Sequence, residues 1–172
     1  MSTEFRTLLL LRHAKSGYPS GVVDHERPLA ERGVREAGLA GEYLRAHAPV
    51  IEAVLCSTAT RTRQTLQRAR IDAPVCYLDG LYDATPGEVI DQINRVPELF
   101  DHPVRTLLVI GHEPAMSRVS LGLADLDGSN HAAAEALSSK YPTSAIAELR
   151  TAHTWERLTL GGAALITFHV PR

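Results

Sequence analysis

Short apolar runs alternate with amphipathic stretches along most of this chain. The first run holds four consecutive leucines over 8–11 and is bounded by charged residues, which is typical of a buried strand in a parallel sheet. Similar runs predict further strands, and apolar residues three and four apart predict helices between them. The predicted strands cover 5–11, 53–56, 74–78, 106–110, 144–149 and 163–170, and the main helices 30–46, 57–70, 86–96 and 115–123. This alternation predicts an α/β fold, a layered helix–sheet–helix arrangement with a mainly parallel central sheet.

The third of these helices has the clearest start signal. Thr85-Pro86-Gly87-Glu88 combines a capping threonine, a proline at the first helical position and a glutamate three residues after the cap. We therefore interpret Glu88 as a capping-box partner rather than a catalytic acid. We expect Pro97 to end this helix near Val96.

Two other segments carry weaker signals. Ser57 is a candidate cap for the helix over 57–70. The segment 124–143 has a mixed composition, and only a short helix over 131–137 is predicted within it.

Length, charge and cysteine content limit the class of protein. A chain of 172 residues is long enough for one domain with a sizeable core, so we predict a single domain over 1–172. A formal charge of −2 gives no sign of a nucleic-acid or membrane surface. Met1–Arg6 does not have the pattern of a signal peptide, and no apolar run is long enough for a transmembrane helix. We expect a cytoplasmic protein, monomeric by default, in which Cys56 and Cys76 are buried small hydrophobes rather than a disulfide or metal ligands.

Basic residues follow three of the predicted strands. Arg12 and His13 come directly after the first strand, Arg61 lies in the turn after the second, and Gly111-His112 follows the fourth. On their own, Arg12 and His13 would equally suit the polar end of a strand. However, neighbouring strands lie only about 5 Å apart, and ligands of such sheets bind beyond the carboxyl ends of the strands. Two guanidinium groups and two imidazoles around one point require a multiply charged anion, and a phosphoryl group meets that requirement.

At these positions the chain resembles the histidine phosphatase superfamily, and within it the short, SixA-like phosphohistidine phosphatases. The resemblance implies the phosphoglycerate mutase-like fold of that superfamily. It covers nearly the full chain, with the second arginine placed as in the SixA-like branch. The matching motifs are Arg12-His13, Ser57-Thr58-Ala59-Thr60-Arg61, Gly111-His112-Glu113-Pro114, Arg27-Pro28-Leu29 with Arg32-Gly33, Leu81-Tyr82-Asp83-Ala84, Tyr141-Pro142-Thr143 and Trp155.

The resemblance implies a role for each of the four basic residues. His13 would attack phosphorus and form a covalent phosphohistidine, which water then hydrolyses. It must be neutral to attack, and nearby Arg12 and Arg61 should lower its pKa. Arg12, Arg61 and His112 would hold the phosphoryl oxygens. No cofactor or metal is expected, since the eight histidines show no ligand-like spacing.

The general acid is the open question. Asp83 stands where many superfamily members have a carboxylate after the third strand, but it equally suits a turn aspartate ahead of the Thr85 cap. An alcohol leaving group needs a proton donor, whereas an imidazole, with a pKa near 6.5, leaves with far less help. A phosphohistidine phosphatase could therefore work with a poor acid or none.

Three functions remain open. The first is a metal-independent phosphatase for phosphohistidine in proteins. The resemblance favours it, because larger members of the superfamily carry insertions that enclose small substrates, whereas 79–105 and 124–143 look too short for such a lid. The second is a phosphatase for small phosphate monoesters that uses Asp83 as general acid. The third is a non-catalytic module that binds phosphorylated ligands.

Several other polar residues are interpreted without a catalytic role. Lys15 and Ser16 follow the candidate nucleophile and are interpreted as loop residues, and Arg63 is expected to be solvated on another side of its helix. The remaining histidines have no motif and are interpreted as surface or packing residues: His25, His47, His102, His131, His153 and His169.

Overall fold

A six-stranded sheet forms the centre of the computed structural model, which describes residues 4–172. Residues 1–3, part of the segment for which we predict no signal peptide, lie outside the described residues. The strands are β1 (Arg6–Arg12), β2 (Ala53–Ser57), β3 (Val75–Leu78), β4 (Thr106–Gly111), β5 (Ile146–Thr151) and β6 (Ala164–His169). The helices are α1 (Glu31–His47), α2 (Thr60–Ala69), α3 (Pro86–Asn94), α4 (Val96–Leu99), α5 (Ala115–Leu123) and α6 (His131–Ser139).

The strand order is β3-β2-β4-β1-β5-β6. The first four strands in this order pair in parallel, and β5 and β6 continue the sheet antiparallel. The predicted α/β fold with a mainly parallel sheet is thereby confirmed. β1 lies between β4 and β5, so the residues that follow it emerge near the middle of the sheet.

The four leucines of β1 explain why both faces of the sheet are covered. Because side chains alternate along a strand, Leu8 and Leu10 pack into the core under α3, α5 and α6, while Leu9 and Leu11 pack into the core under α1 and α2. All four are essentially inaccessible to solvent. Each such side chain contributes about 1.5–3 kcal/mol by burial, which anchors the strand that precedes the candidate nucleophile.

A glycine lets α1 lie directly against the loop after β1. A Cβ atom at Gly33 would lie 2.0 Å from the backbone oxygen of Lys15, which no side chain can accommodate. The Ala30 N–H also donates to that oxygen at 2.9 Å. The start of α1 therefore fixes the backbone two residues after His13.

Most predicted elements are present within one or two residues of their expected ends, including the capping box in which Thr85 and Glu88 bond each other's backbone. Two helix ends differ from their expected positions by two residues each. α3 ends at Asn94, before the expected Val96, and Pro97 lies inside the separate helix α4. Residues 131–139 form a helix slightly longer than predicted.

The predicted cap at Ser57 is wrong. Ser57 is the last residue of β2, and the N-cap of α2 is Ala59, whose side chain has no hydrogen-bonding group. Of the two cysteines, Cys56 is buried as expected, but Cys76 is only half-buried. No helix within residues 4–172 is both long and apolar enough to cross a membrane.

Candidate active site

Two neighbouring strand ends bring the two candidate histidines together. Arg12 pairs with Gly111 at the ends of β1 and β4, and the His13 N–H donates to the Gly111 oxygen at 3.0 Å. The rings of His13 and His112 therefore lie side by side, with centroids 5.2 Å apart. Arg61 reaches the same place from the first turn of α2. All four basic residues line one cleft of about 190 Å³.

His13 is held as a neutral imidazole with one free nitrogen. Its side chain is 7% exposed, and burial, helped by His112, Arg12 and Arg61, lowers its pKa to about 3. The arginines act in the predicted direction, but burial is the larger cause. Nδ1 lies 2.7 Å from the Ala14 oxygen. Because a carbonyl oxygen can only accept, Nδ1 carries the proton and Nε2 keeps its lone pair.

A threonine on α2 fixes the peptide that orients His13. Thr65 Oγ1 accepts a hydrogen bond from the Ala14 N–H at 2.9 Å and donates to the Arg61 oxygen at 2.7 Å. This single buried hydroxyl therefore connects the loop after β1 to the turn that carries Arg61. The imidazole and the guanidinium are positioned by the same link.

Both arginines are anchored through their terminal nitrogens. Arg12 Nη1 donates to the Tyr141 oxygen at 2.9 Å, and Arg61 Nη1 donates to the Asp24 oxygen at 2.7 Å. A second nitrogen of Arg61, Nη2, lies 3.1 Å from Asp24 Oδ2. The Nε atoms of Arg12 and Arg61 are buried and have no hydrogen-bond partner among residues 4–172.

His112 provides a third buried nitrogen that has no hydrogen-bond partner among the described residues. Its Nε2 lies 2.8 Å from the Ser57 hydroxyl, while its buried Nδ1 has no partner in the described part of the chain. Burial, followed by the charge of Arg61, lowers the pKa of His112 to about 4. A Ser57 hydroxyl that donates to Nε2 leaves Nδ1 protonated. The cleft can then offer three N–H donors, one from each of Arg12, Arg61 and His112, to the three oxygens of a phosphoryl group.

Comparison with known proteins agrees with this geometry. The model of the histidine phosphatase superfamily (branch 1) matches residues 8–106. The chain belongs to the histidine phosphatase superfamily. An uncharacterized protein of Mycobacterium tuberculosis is 57% identical over 162 residues, which are 94% of this chain and 100% of the relative. An uncharacterized protein of Mycobacterium leprae is 49% identical over 166 residues, with the same coverage.

Solved structures place the chain near the SixA branch of this superfamily. A protein from Nakamurella multipartitia assigned as the phosphohistidine phosphatase SixA is 36% identical, with a TM-score of 0.87 over 97% of this chain and 96% of that one. A protein from Agrobacterium tumefaciens with the same assignment is 28% identical, with a TM-score of 0.73 over 96% and 99%. The predicted resemblance is confirmed, and the superfamily supports a phosphatase activity.

The histidine phosphatase cleft has a carboxylate clamp that sequence analysis missed. Asp24 lies in a short 3₁₀ turn between β1 and α1 and accepts hydrogen bonds from Tyr82, Arg27 and Arg61. These bonds, that from Tyr82 first, hold the pKa of Asp24 well below its usual range. The rings of Tyr82 and His112 also pack in a T-shaped arrangement, with centroids 5.5 Å apart. The only sequence signal for this clamp is the spacing of three residues between Asp24 and Arg27. A charge pair within one loop does not indicate that its aspartate also binds Arg61, which is far away in the sequence.

Asp83 is the one predicted site residue that does not line this cleft. It is exposed, has a left-handed backbone with φ of 55°, and is not among the residues that line the cleft. Its role as general acid stays a prediction. Lys15 and Ser16 do line the cleft, and the Ser16 hydroxyl accepts a hydrogen bond from Arg27 at 2.7 Å.

Two residues interpreted as non-catalytic differ in their relation to the cleft. Arg63 is exposed as expected, with its guanidinium 4.6 Å from the centre of the Tyr77 ring. His25 packs its ring against Tyr82, with centroids 4.7 Å apart, and Tyr82 in turn contacts the cleft residue His112. Within residues 4–172, no three His, Cys, Asp or Glu side chains are grouped closely enough to hold a metal ion.

Proposed function

We propose that this chain hydrolyses phosphohistidine in proteins through a covalent phosphate on His13. The observation that carries the proposal is the state of His13, a neutral ring whose Nδ1 is tied to the Ala14 oxygen and whose Nε2 has a free lone pair. That nitrogen lies in the same cleft as the two anchored arginines and His112. This combination supplies a nucleophile and an oxyanion cradle together.

The reaction has two steps. In the first, Nε2 of His13 forms a bond to phosphorus, and the bond from phosphorus to the substrate nitrogen breaks with its electron pair going to the leaving imidazole. In the second, a water oxygen bonds to phosphorus, the phosphorus–Nε2 bond breaks, and inorganic phosphate leaves. Arg12, Arg61 and His112 stabilise the charge on the phosphoryl oxygens in both transition states.

The position of Asp83 favours phosphohistidine over phosphate esters. An alkoxide needs protonation as it leaves, but an imidazole needs far less help. Because Asp83 is exposed and outside the cleft lining, the site suits the less demanding leaving group. The structural relatives assigned as SixA support the same choice.

Phosphate release from a phosphohistidine protein and from p-nitrophenyl phosphate tests the proposal. We expect preferential release from the phosphohistidine protein, complete dependence on His13 and a normal rate in Asp83→Asn. Arg61→Ala should lower kcat/KM by at least about 100-fold, as loss of one transition-state contact does. Arg63→Ala, an exposed arginine on the same helix, is the matched control and should behave as wild type. Preference for the ester with loss of activity in Asp83→Asn would instead identify an ester phosphatase, and binding without release or intermediate would identify a binding module.

A further inference from the structure

The cleft contains a carboxylate that the two-step reaction has not yet used. Glu113 follows His112 directly and lines the same cleft as His13. Among the carboxylates of residues 4–172, it is the one in the cleft lining. Asp83 is exposed, and Asp24 is already engaged by three donors.

The Glu113 carboxylate is held in place by the first turn of α5. Its Oε1 accepts the Ser117 N–H at 2.6 Å, and its Oε2 lies 2.8 Å from the Ser117 hydroxyl. An ionised carboxylate has about four acceptor positions, so each oxygen can accept a further hydrogen bond, including one from a water molecule. Burial lowers the pKa of Arg12, and the negative charge of Glu113 acts in the opposite direction. Glu113 is therefore close enough to interact electrostatically with one of the arginines that would hold the phosphoryl group.

No other group that we assign to the cleft is equally suited to accept a proton. In the second step His13 is itself phosphorylated, and His112 is neutral with its Nε2 bonded to the Ser57 hydroxyl. The arginine and lysine side chains are donors only. The water that attacks phosphorus must nevertheless lose a proton to some acceptor.

We propose that Glu113 is the general base for the second step, accepting a proton from the water that hydrolyses phospho-His13. In this step the water oxygen bonds to phosphorus as its proton moves to the Glu113 carboxylate. The phosphorus–Nε2 bond breaks, and its electron pair returns to His13. The assignment rests on the proposed function. It predicts that Glu113 affects the breakdown of the phosphoenzyme and not its formation.

Glu113 could otherwise serve only to cap α5 and to balance the charge of Arg12. Such a structural role would slow both steps, because it would disturb the arginine that both transition states use. Glu113→Gln keeps the size of the side chain and one acceptor oxygen but removes the base. Glu135→Gln makes the same change at an exposed glutamate of α6 that does not line the cleft, and is therefore the matched control.

Rapid-quench measurements with a ³²P-labelled phosphohistidine protein separate the two steps. We expect Glu113→Gln to accumulate phospho-His13, with kcat lowered about 100-fold and kcat/KM, which reports formation, near the wild-type value. Glu135→Gln should show no such accumulation.

Three outcomes would overturn the assignment. Breakdown at the wild-type rate in Glu113→Gln would exclude the base role. An equal fall in kcat and kcat/KM would indicate the structural role. Absence of both phospho-His13 and phosphate release in the wild type would overturn the proposed function itself, and the Glu113 assignment with it.

Discussion

Burial of the candidate nucleophile should make the protein sensitive to acid. The pKa of His13 is about 3 in the folded chain, against about 6.5 in an unfolded one. A depressed folded pKa means that the stabilising contribution is present above pH 6.5 and is lost as the pH falls toward 3. The full slope of 1.36 kcal/mol per pH unit is reached only well below pH 6.5, where the unfolded histidine is fully protonated, so the loss between pH 7.0 and 4.5 is roughly 2–3 kcal/mol. That is a large part of the 5–15 kcal/mol that typically holds a domain folded.

Urea unfolding of wild type and His13→Gln at pH 7.0 and 4.5 measures this contribution. The variant lacks the titrating group, so its free energy of unfolding should fall by about 2–3 kcal/mol less than that of the wild type between the two pH values. His153→Gln, which changes an exposed histidine, should lose as much as the wild type. If His13→Gln and wild type lose the same free energy, His13 is not buried as a neutral ring, and our reason for its nucleophilic state is wrong.

Three further predictions follow from the site. Asp24→Asn weakens the clamp on Arg61 and should lower kcat/KM about fivefold, as expected for a partly exposed ion pair worth up to about 1 kcal/mol; unchanged steady-state kinetics would contradict this. Gly33→Ala forces a Cβ against the Lys15 oxygen and should lower the free energy of unfolding by about 1–3 kcal/mol, seen as a drop of several degrees in Tm. Gly17→Ala is the control, because a Cβ there has no neighbour closer than 4.0 Å, and it should leave Tm unchanged. Because both cleft histidines have lowered pKa values, kcat/KM should be flat from about pH 8 to pH 5 and decrease only below that; an inflection near pH 6.5 would show that one of them titrates normally.

Regular patterns in the sequence predicted the framework because they reflect burial and backbone geometry. The leucines of β1 alternate between two cores, and the Thr85–Glu88 pair caps α3, so periodicity and capping signals located both elements. The meeting of Arg12, His13, Arg61 and His112 in one cleft also followed from strand order, because parallel strands end at the same edge of the sheet.

What sequence could not supply were contacts between loops and strand ends. Ser57 has the residue type of a helix cap, but β2 extends through it and its hydroxyl meets His112 across the sheet. Asp24 lies in a loop, and a loop has no regular sequence pattern from which its course could be predicted. Its hydrogen bond to Arg61 therefore could not be predicted from the sequence. For Asp83, the resemblance gave a position along the chain but not its exposure.

The Thr65 link has a consequence for how such an enzyme can change its substrate. One hydroxyl joins the peptide after the nucleophile to the turn of the second arginine, so neither can shift without the other. The part of the cleft formed by His13 and Arg61 is therefore rigid, and it cannot change shape to accommodate a new substrate. Variation has to fall on the loop between β1 and α1, where Tyr18 is 77% exposed at the mouth of the cleft. Proteins that evolve from this chain would therefore keep the same reaction and differ in which substrates can reach the cleft.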